Sequence, residues 1–147
     1  MRRARYAALV WFVCISLVAC LSPALADVRI EASPGAVVSN YLELFALLRQ
    51  SGERIVIDGP CLSACTLVLS TIPRSRICVT SRAVLGFHAP RLVDQYGDEF
   101  RSETVTRAVG ATYPAPVRNW IRRHGGLTGR TIFLYGRELA AMYPRCQ

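Results

Sequence analysis

The sequence predicts an α/β fold, because short strand-like segments alternate with helix-like segments along the chain. Residues 54–58 and 77–80 are rich in β-branched and apolar side chains, and a helix-like segment at 39–50 precedes the first of them. No internal repeat, low-complexity run or linker interrupts residues 27–147. About 120 residues can bury one apolar core but not two. We therefore expect a single α/β domain over 27–147.

The first three elements follow from residue patterning. Residues 28–32 alternate apolar and polar side chains, as a short strand does, and Ser33-Pro34-Gly35-Ala36 has the composition of a tight loop. Between Ser39 and Gln50 apolar residues recur at the spacing of one helix face, and Ser51-Gly52 supplies a C-terminal glycine. A strand, a loop and a helix are expected in this order.

The middle and the end of the chain continue the alternation. The strand at 54–58 is followed by a Gly59-Pro60 turn and by an apolar stretch, Leu62 to Leu69, that begins a helix. The remaining predicted elements are two strands at 77–80 and 83–88 and two helices at 102–110 and 116–124, the latter ending at Gly125-Gly126.

Residues 1–26 have the three parts of a cleavable export signal. A basic start with Arg2, Arg3 and Arg5 precedes an apolar run at 6–21, and Ala24-Leu25-Ala26 is a small-residue cleavage site. We expect cleavage after Ala26 and a periplasmic or secreted protein.

Two alternatives to a soluble exported protein remain. The signal could stay uncleaved as an anchor, although its 16 apolar residues fall short of the roughly 20 that span a bilayer. Alternatively, Leu17-Val18-Ala19-Cys20 resembles a lipoprotein cleavage box, and a lipidated Cys20 would tether the protein to a membrane. Membrane association is expected only in these two cases.

The charge pattern does not indicate a nucleic-acid-binding protein. The formal charge is +8, and after removal of the signal the chain has 15 arginines and 10 carboxylates. These arginines are scattered, and only Arg122-Arg123 are adjacent, which is typical of a solvated surface. The chain contains no lysine, so a lysine general base is excluded.

Three segments carry residues suited to acyl transfer. Ser63 follows a predicted strand and turn at the start of a helix, where free backbone N–H groups favour negative charge. His88 ends an apolar strand and could take the serine proton, and Gly35-Ala36 form a loop whose N–H groups can approach a substrate. A nucleophile, a base and oxyanion donors are what an acyl-transfer site needs.

The order of these segments resembles the ClpP and crotonase superfamily, especially its small periplasmic ClpP-like members. The resemblance rests on Ser33-Pro34-Gly35-Ala36, on Gly59-Pro60-Cys61-Leu62-Ser63-Ala64-Cys65, and on Gly86-Phe87-His88-Ala89-Pro90. It implies a minimal version of the repeated β-β-α spiral of that superfamily. It also implies that Ser63 is the nucleophile and His88 the base, with the loop at Gly35 and Ala36 and the N–H of Ala64 as oxyanion donors.

The chain departs from the ClpP pattern at the catalytic acid. In ClpP peptidases an aspartate lies shortly before a Phe-Leu-x-x-x-Glu-x segment, and here Gly129-Arg130-Thr131 precede the similar segment at 132–139. Either Asp94, Asp98 or Glu99 substitutes for it, or Ser63 and His88 act as a dyad at a cost in rate. In addition, Ala36 stands where the family loop has its second glycine.

Four cysteines remain after signal cleavage: Cys61, Cys65, Cys78 and Cys146. An even number in an exported chain predicts disulfides, and three pairings are open. Cys61 and Cys78 flank the predicted site, and a bond between them would brace it. Cys65 is expected to be a buried thiol or a disulfide partner, not a nucleophile.

A zinc site is not predicted. The cysteines lack a second close pair, and only His88 and His124 could complete one. His124, before Gly125-Gly126, has the features of a helix C-terminal residue, and we assign it no catalytic role. We expect neither a metal nor any other cofactor.

Two functions are compatible with the sequence. The first is an exported ClpP-like serine hydrolase that cleaves a peptide or another acyl substrate through Ser63 and His88, without metal or nucleotide. The alternative is a non-catalytic ClpP-like module that binds a protein partner or serves assembly and keeps a relic site. The resemblance also implies a homo-oligomer.

Overall fold

A computed structural model describes residues 26–147. The predicted signal, apart from Ala26, and the lipoprotein box ending at Cys20 lie outside the described residues. Within 26–147 no helix has the length and the apolar character needed to cross a membrane.

The described part of the chain alternates strands and helices. The strands are β1 (Asp27–Ile30), β2 (Arg54–Ile57), β3 (Pro60–Leu62), β4 (Ile77–Val79), β5 (Val84–Phe87), β6 (Leu92–Val93), β7 (Glu99–Phe100) and β8 (Ile132–Tyr135). The helices are α1 (Val38–Ser51), α2 (Val68–Thr71), α3 (Glu103–Thr112), α4 (Ala115–Arg123) and α5 (Gly136–Met142), with 3-10 turns at Ser63–Leu67 and Arg74–Arg76. The mixed α/β class is confirmed, whereas the repeated β-β-α spiral stays a prediction.

Two three-stranded sheets organise these elements. The first is parallel, in the order β1-β2-β4. Three consecutive residues of its central strand, Ile55, Val56 and Ile57, are buried, as expected for a strand covered on both faces. In the second sheet, β3 and β5 are parallel and β8 joins β5 antiparallel. Strands β6 and β7 form a separate hairpin.

Helices α1 and α4 cover the sheets and complete the core. Phe45 is the fully buried residue of α1, and that helix ends at Gly52 with a φ of 83°, which a glycine adopts without strain. Trp120 on α4 is 1% exposed and packs against Phe87 at the end of β5, with ring centroids 6.0 Å apart. Trp120 of α4 thus packs against the buried end of β5, next to His88.

All four cysteines of the described chain are in disulfides, as expected, and of the three open pairings the one with a Cys61–Cys78 bond is excluded. Cys61 bonds Cys65, and Cys78 bonds Cys146. The cause is topological, since Cys61 lies on β3 and Cys78 on β4, which belong to different sheets. The C-terminal residues run beside β4, where the N–H of Cys146 donates to the carbonyl of Val79. Two disulfides fit an oxidising compartment.

A buried carboxylate links β1 to the loop between β4 and β5. The side chain of Asp58 is 3% exposed and accepts hydrogen bonds from Arg82, Thr80 and Arg29. These donors, Arg82 foremost, hold the pKa of the Asp58 carboxyl well below its usual range. The sequence pattern predicts Asp58 at the end of a strand but does not indicate these contacts.

The pKa of Asp58 predicts loss of stability in acid. Because the pKa is depressed in the folded state, the stabilisation is complete above the unfolded-state value of about 4 and is lost as the pH falls below it. We expect the melting temperature to fall below about pH 4, and Asp58→Asn to remove part of that dependence. Thermal unfolding from pH 7 to pH 3 measures both.

Asp27→Asn is the matched control. Asp27 pairs with Arg54, but its side chain is 38% exposed, so water screens the pair. We expect this variant to keep most of the acid sensitivity of the wild type. Equal effects of the two variants would contradict the role given to Asp58.

Candidate functional site

Ser63 occupies a strained position where β3 turns into the following 3-10 turn. Its φ is 54°, and no other residue but glycine has a positive φ in the described chain. A left-handed backbone costs a residue with a side chain about 1 kcal/mol or more, so the surrounding structure must impose it. A sharp turn from a strand into a helix presents a serine hydroxyl at the end of the sheet, as in the nucleophile elbow of α/β-hydrolases.

The loop at Gly35 packs directly on Ser63. Ser33 forms an isolated parallel β-bridge with Cys61, in which the N–H of Leu62 donates to the Ser33 carbonyl at 2.9 Å. At Gly35 φ is 81°, and a Cβ atom there would lie 2.6 Å from the Cβ of Ser63 and 3.0 Å from the Ala64 nitrogen. Only glycine permits this approach, which brings the backbone of the loop beside the Ser63–Ala64 peptide.

His88 follows β5, and its imidazole has a defined tautomer. Nδ1 lies 2.7 Å from the carbonyl oxygen of Ala89. Because a carbonyl only accepts hydrogen bonds, Nδ1 carries the proton in the neutral ring and Nε2 keeps its lone pair. The N–H of Ala89 in turn donates to the carbonyl of Thr128 at 2.7 Å, which fixes the peptide that orients the ring.

The three candidate acids lie in or beside the β6–β7 hairpin. Asp94 Oδ1 accepts the N–H groups of Tyr96 and Asp98, and so closes the hairpin turn. The carbonyl of Asp98, an exposed residue, accepts the N–H of Asp94. Glu99 pairs with Arg91 at 3.0 Å. Within 26–147, none of the three carboxylates is hydrogen-bonded to His88.

The segment that precedes β8 reaches the surroundings of His88 through its backbone. Thr128 bonds Ala89, as described above. One residue later, Gly129 lies under the guanidinium of Arg101, since a Cβ atom there would be 1.8 Å from Nη1. An arginine side chain therefore lies against this segment, and residues 127–131 contain no carboxylate.

One cavity of about 850 Å³ is lined by the predicted nucleophile, base and oxyanion loop, and by Glu99 but neither Asp94 nor Asp98 of the candidate acids. Ser63, Ala64 and His88 line it together with the loop at Gly35 and Ala36. The rest of its wall is largely apolar, and the ion pair of Arg91 and Glu99 lies at the hairpin side. The apolar part of the wall is formed by Pro34, Val37, Val38, Leu67, Pro90, Leu92, Val93, Val105, Val109 and Tyr113.

Two residues of this region were not found from the sequence. Tyr113 closes α3 and lines the cavity, and its hydroxyl is bonded to Thr66 behind Ser63. Nothing in the local pattern around Thr66 or Tyr113 signals this contact, because the two residues are 47 positions apart. The role of the Ala89 carbonyl also escapes sequence analysis, since every residue but proline has the same backbone groups.

No metal-binding cluster is present among residues 26–147, since no three His, Cys, Asp or Glu side chains converge there.

His124 lies at the C-terminus of α4, where its ring stacks on the Trp120 ring with centroids 4.0 Å apart and its Nδ1 is hydrogen-bonded to the Trp120 carbonyl. Its contacts are those of a helix-terminal residue.

Comparison with known proteins gives a structural similarity but no sequence match. No protein-family model and no curated protein sequence matches the chain. Among solved structures, the chain is similar to a mutant of ClpP1 from Listeria monocytogenes, with a TM-score of 0.46 and 10% identity over 79% of this chain and 86% of that chain.

Proposed function

We propose that this protein is an exported serine hydrolase of ClpP-like fold, with Ser63 as the nucleophile and His88 as the base. One observation carries the proposal: a strained Ser63 lines the same cavity as a histidine whose free nitrogen is Nε2. Strain at a single serine is characteristic of functional sites, because the rest of the fold must maintain it.

The proposed reaction is acyl transfer in two stages. As the Ser63 Oγ bonds the substrate carbonyl carbon, Nε2 of His88 takes the hydroxyl proton and later gives it to the leaving group. Water then hydrolyses the acyl-enzyme by the reverse proton path. The N–H groups of Gly35 and Ala64, with Ala36 beside them in the loop, are the proposed donors to the oxyanion.

The Ala89 carbonyl takes the orienting role that an acid has in a triad. It keeps the proton on Nδ1 and stabilises the imidazolium by its dipole. A neutral carbonyl stabilises a cation less than a carboxylate does, so we expect a slower enzyme than an aspartate-containing triad.

The cavity and the disulfides support the substrate class and the compartment. A mostly apolar wall favours peptides or other acyl substrates with an apolar group next to the scissile bond. Two disulfides and the predicted signal at 1–26 are consistent with a periplasmic or secreted protein. A homo-oligomeric assembly is part of the same proposal.

A non-catalytic binding or assembly module is the second candidate. It is favoured by one observation, namely that no carboxylate of residues 26–147 is hydrogen-bonded to His88. In this case the apolar cavity would hold a segment of a protein partner without cleaving it.

Active-site labelling distinguishes the two functions. We expect a fluorophosphonate to modify the mature, disulfide-bonded protein at one serine, as seen by intact mass and peptide mapping. Ser63→Ala should abolish the modification, and His88→Ala should slow it at least about 100-fold, since it removes the general base. Ser70→Ala is the control, because Ser70 lies on α2 outside the cavity and bonds Thr112. A folded wild type that remains unlabelled would favour the binding module.

A further inference from the structure

A buried chain of hydrogen bonds ends on the carbonyl of Ser63. Thr66 Oγ1 donates to that carbonyl at 2.7 Å and also lies 2.7 Å from the hydroxyl of Tyr113. A threonine hydroxyl has one proton, and the carbonyl can only accept it. The direction of the chain is therefore fixed: Tyr113 donates to Thr66, and Thr66 donates to Ser63.

Both side chains of this hydrogen-bond chain are buried. Thr66 is 0% exposed and Tyr113 is 4% exposed. Burial raises the pKa of Tyr113 to about 12, so the phenol keeps its proton throughout the neutral range and remains a donor. A buried hydroxyl left without a partner is costly, which makes the two bonds mutually dependent.

The Ser63 carbonyl belongs to the peptide unit that carries the Ala64 N–H. In a trans peptide the C=O and N–H bonds lie in one plane and point in opposite directions. Anchoring the carbonyl inside the core therefore directs the Ala64 N–H away from the core. The same peptide is the one that Gly35 approaches on the cavity side.

Tyr113 also contacts the histidine side of the site. Its ring meets the ring of Phe87 edge to face, with centroids 5.3 Å apart and planes at 86°. Phe87 is the residue before His88 and the last residue of β5. The Tyr113 backbone is held too, since the guanidinium of Arg118 donates to its carbonyl at 2.6 Å.

We propose that Tyr113 is a positioning residue that acts through Thr66 to aim the Ala64 N–H at the oxyanion. This inference rests on the proposed function, because it assigns an orienting role within the same acyl-transfer site. Tyr113 and Thr66 do not touch the reacting atoms in this role. They hold the Ser63–Ala64 peptide against rotation, so their loss weakens stabilisation of the tetrahedral state but not binding in the apolar cavity.

The test separates binding from reaction in fluorophosphonate labelling. We expect Tyr113→Phe, which removes one oxygen, to lower the maximal inactivation rate about tenfold while the half-saturating probe concentration changes less than about twofold. Thr66→Val should lower the rate at least as much, and Thr66→Ser, which keeps the hydroxyl, should remain within about threefold of the wild type. Combining Tyr113→Phe with Thr66→Val should add little, because both break one chain.

Tyr143→Phe is the matched control. Tyr143 is 2% exposed and burial also raises its pKa to about 12, but it does not line the cavity. We expect its labelling rate to equal that of the wild type. If Tyr113→Phe and Thr66→Val fold and label at the wild-type rate while Ser63→Ala does not label, the inference is overturned and the proposed function stands. An unlabelled, folded wild type would overturn both.

Discussion

Replacing both Cys78 and Cys146 by alanine is expected to lower the free energy of unfolding by about 4 kcal/mol. Their disulfide joins residues 68 positions apart, so it removes much of the freedom of the unfolded chain. The Cys61–Cys65 bond spans 4 positions, and by the same loop-closure argument its removal should cost only about 2 kcal/mol. Urea unfolding of the two double variants measures the difference.

The effects on labelling should have the opposite order. Cys61 and Cys65 are both buried and lie two residues before and two residues after Ser63. Without this disulfide, no covalent bond connects the two ends of the turn in which Ser63 has its left-handed φ. We expect slower fluorophosphonate labelling of this variant at a temperature where it is folded, and near wild-type labelling without Cys78–Cys146. The same order in both measurements would contradict a local role for Cys61–Cys65.

Gly35→Ala is expected to abolish labelling and to destabilise the fold. The added Cβ would lie 2.6 Å from the carbonyl oxygen of Leu62 and 2.6 Å from the Cβ of Ser63, closer than nonbonded atoms approach. Either the loop or Ser63 must move, and both belong to the proposed site. Overpacking against backbone costs about 1–3 kcal/mol, in addition to about 1 kcal/mol for an alanine with positive φ.

Gly125→Ala separates the free-energy cost of a positive φ from the cost of overpacking. Gly125 has a φ of 93°, close to that of Gly35, but nothing lies within 4 Å of its added Cβ. We expect it to lose about 1 kcal/mol from the backbone term alone and to label normally. Thermal unfolding and labelling of both variants provide the comparison. Equal losses in the two variants would mean that the loop does not pack on Ser63 as described.

The elements predicted best are those with strong local signals. Helix α1 was expected at 39–50 and runs over Val38–Ser51, since its apolar spacing and Gly52 are both local features. Helix α3 was expected from residue 102, and Ser102 is indeed its N-cap, accepting the N–H of Val105. Strand β2 was expected at 54–58 and ends one residue earlier, at Ile57.

The elements missed by sequence analysis depend on distant partners. Residues 132–135 form β8 only because β5 offers an edge for antiparallel pairing, with Leu134 opposite Leu85. The β6–β7 hairpin has two residues in each strand, too few for a periodic pattern. The disulfide pairing stayed open for a similar reason, because the sequence does not show that Cys61 and Cys78 belong to different sheets.

By itself the sequence predicted the α/β class, most element positions, and the candidate residues for acyl transfer: Ser63, His88 and the loop at Gly35. These follow from periodicity, turn chemistry and motif order, which are local. Only the tertiary structure decided the disulfide pairing, the common cavity, the Ala89 carbonyl as partner of His88, and the chain from Tyr113 to Ser63. Each depends on backbone groups or on residues far apart in sequence, and folding brings these together through sheet pairing and burial that no local pattern encodes.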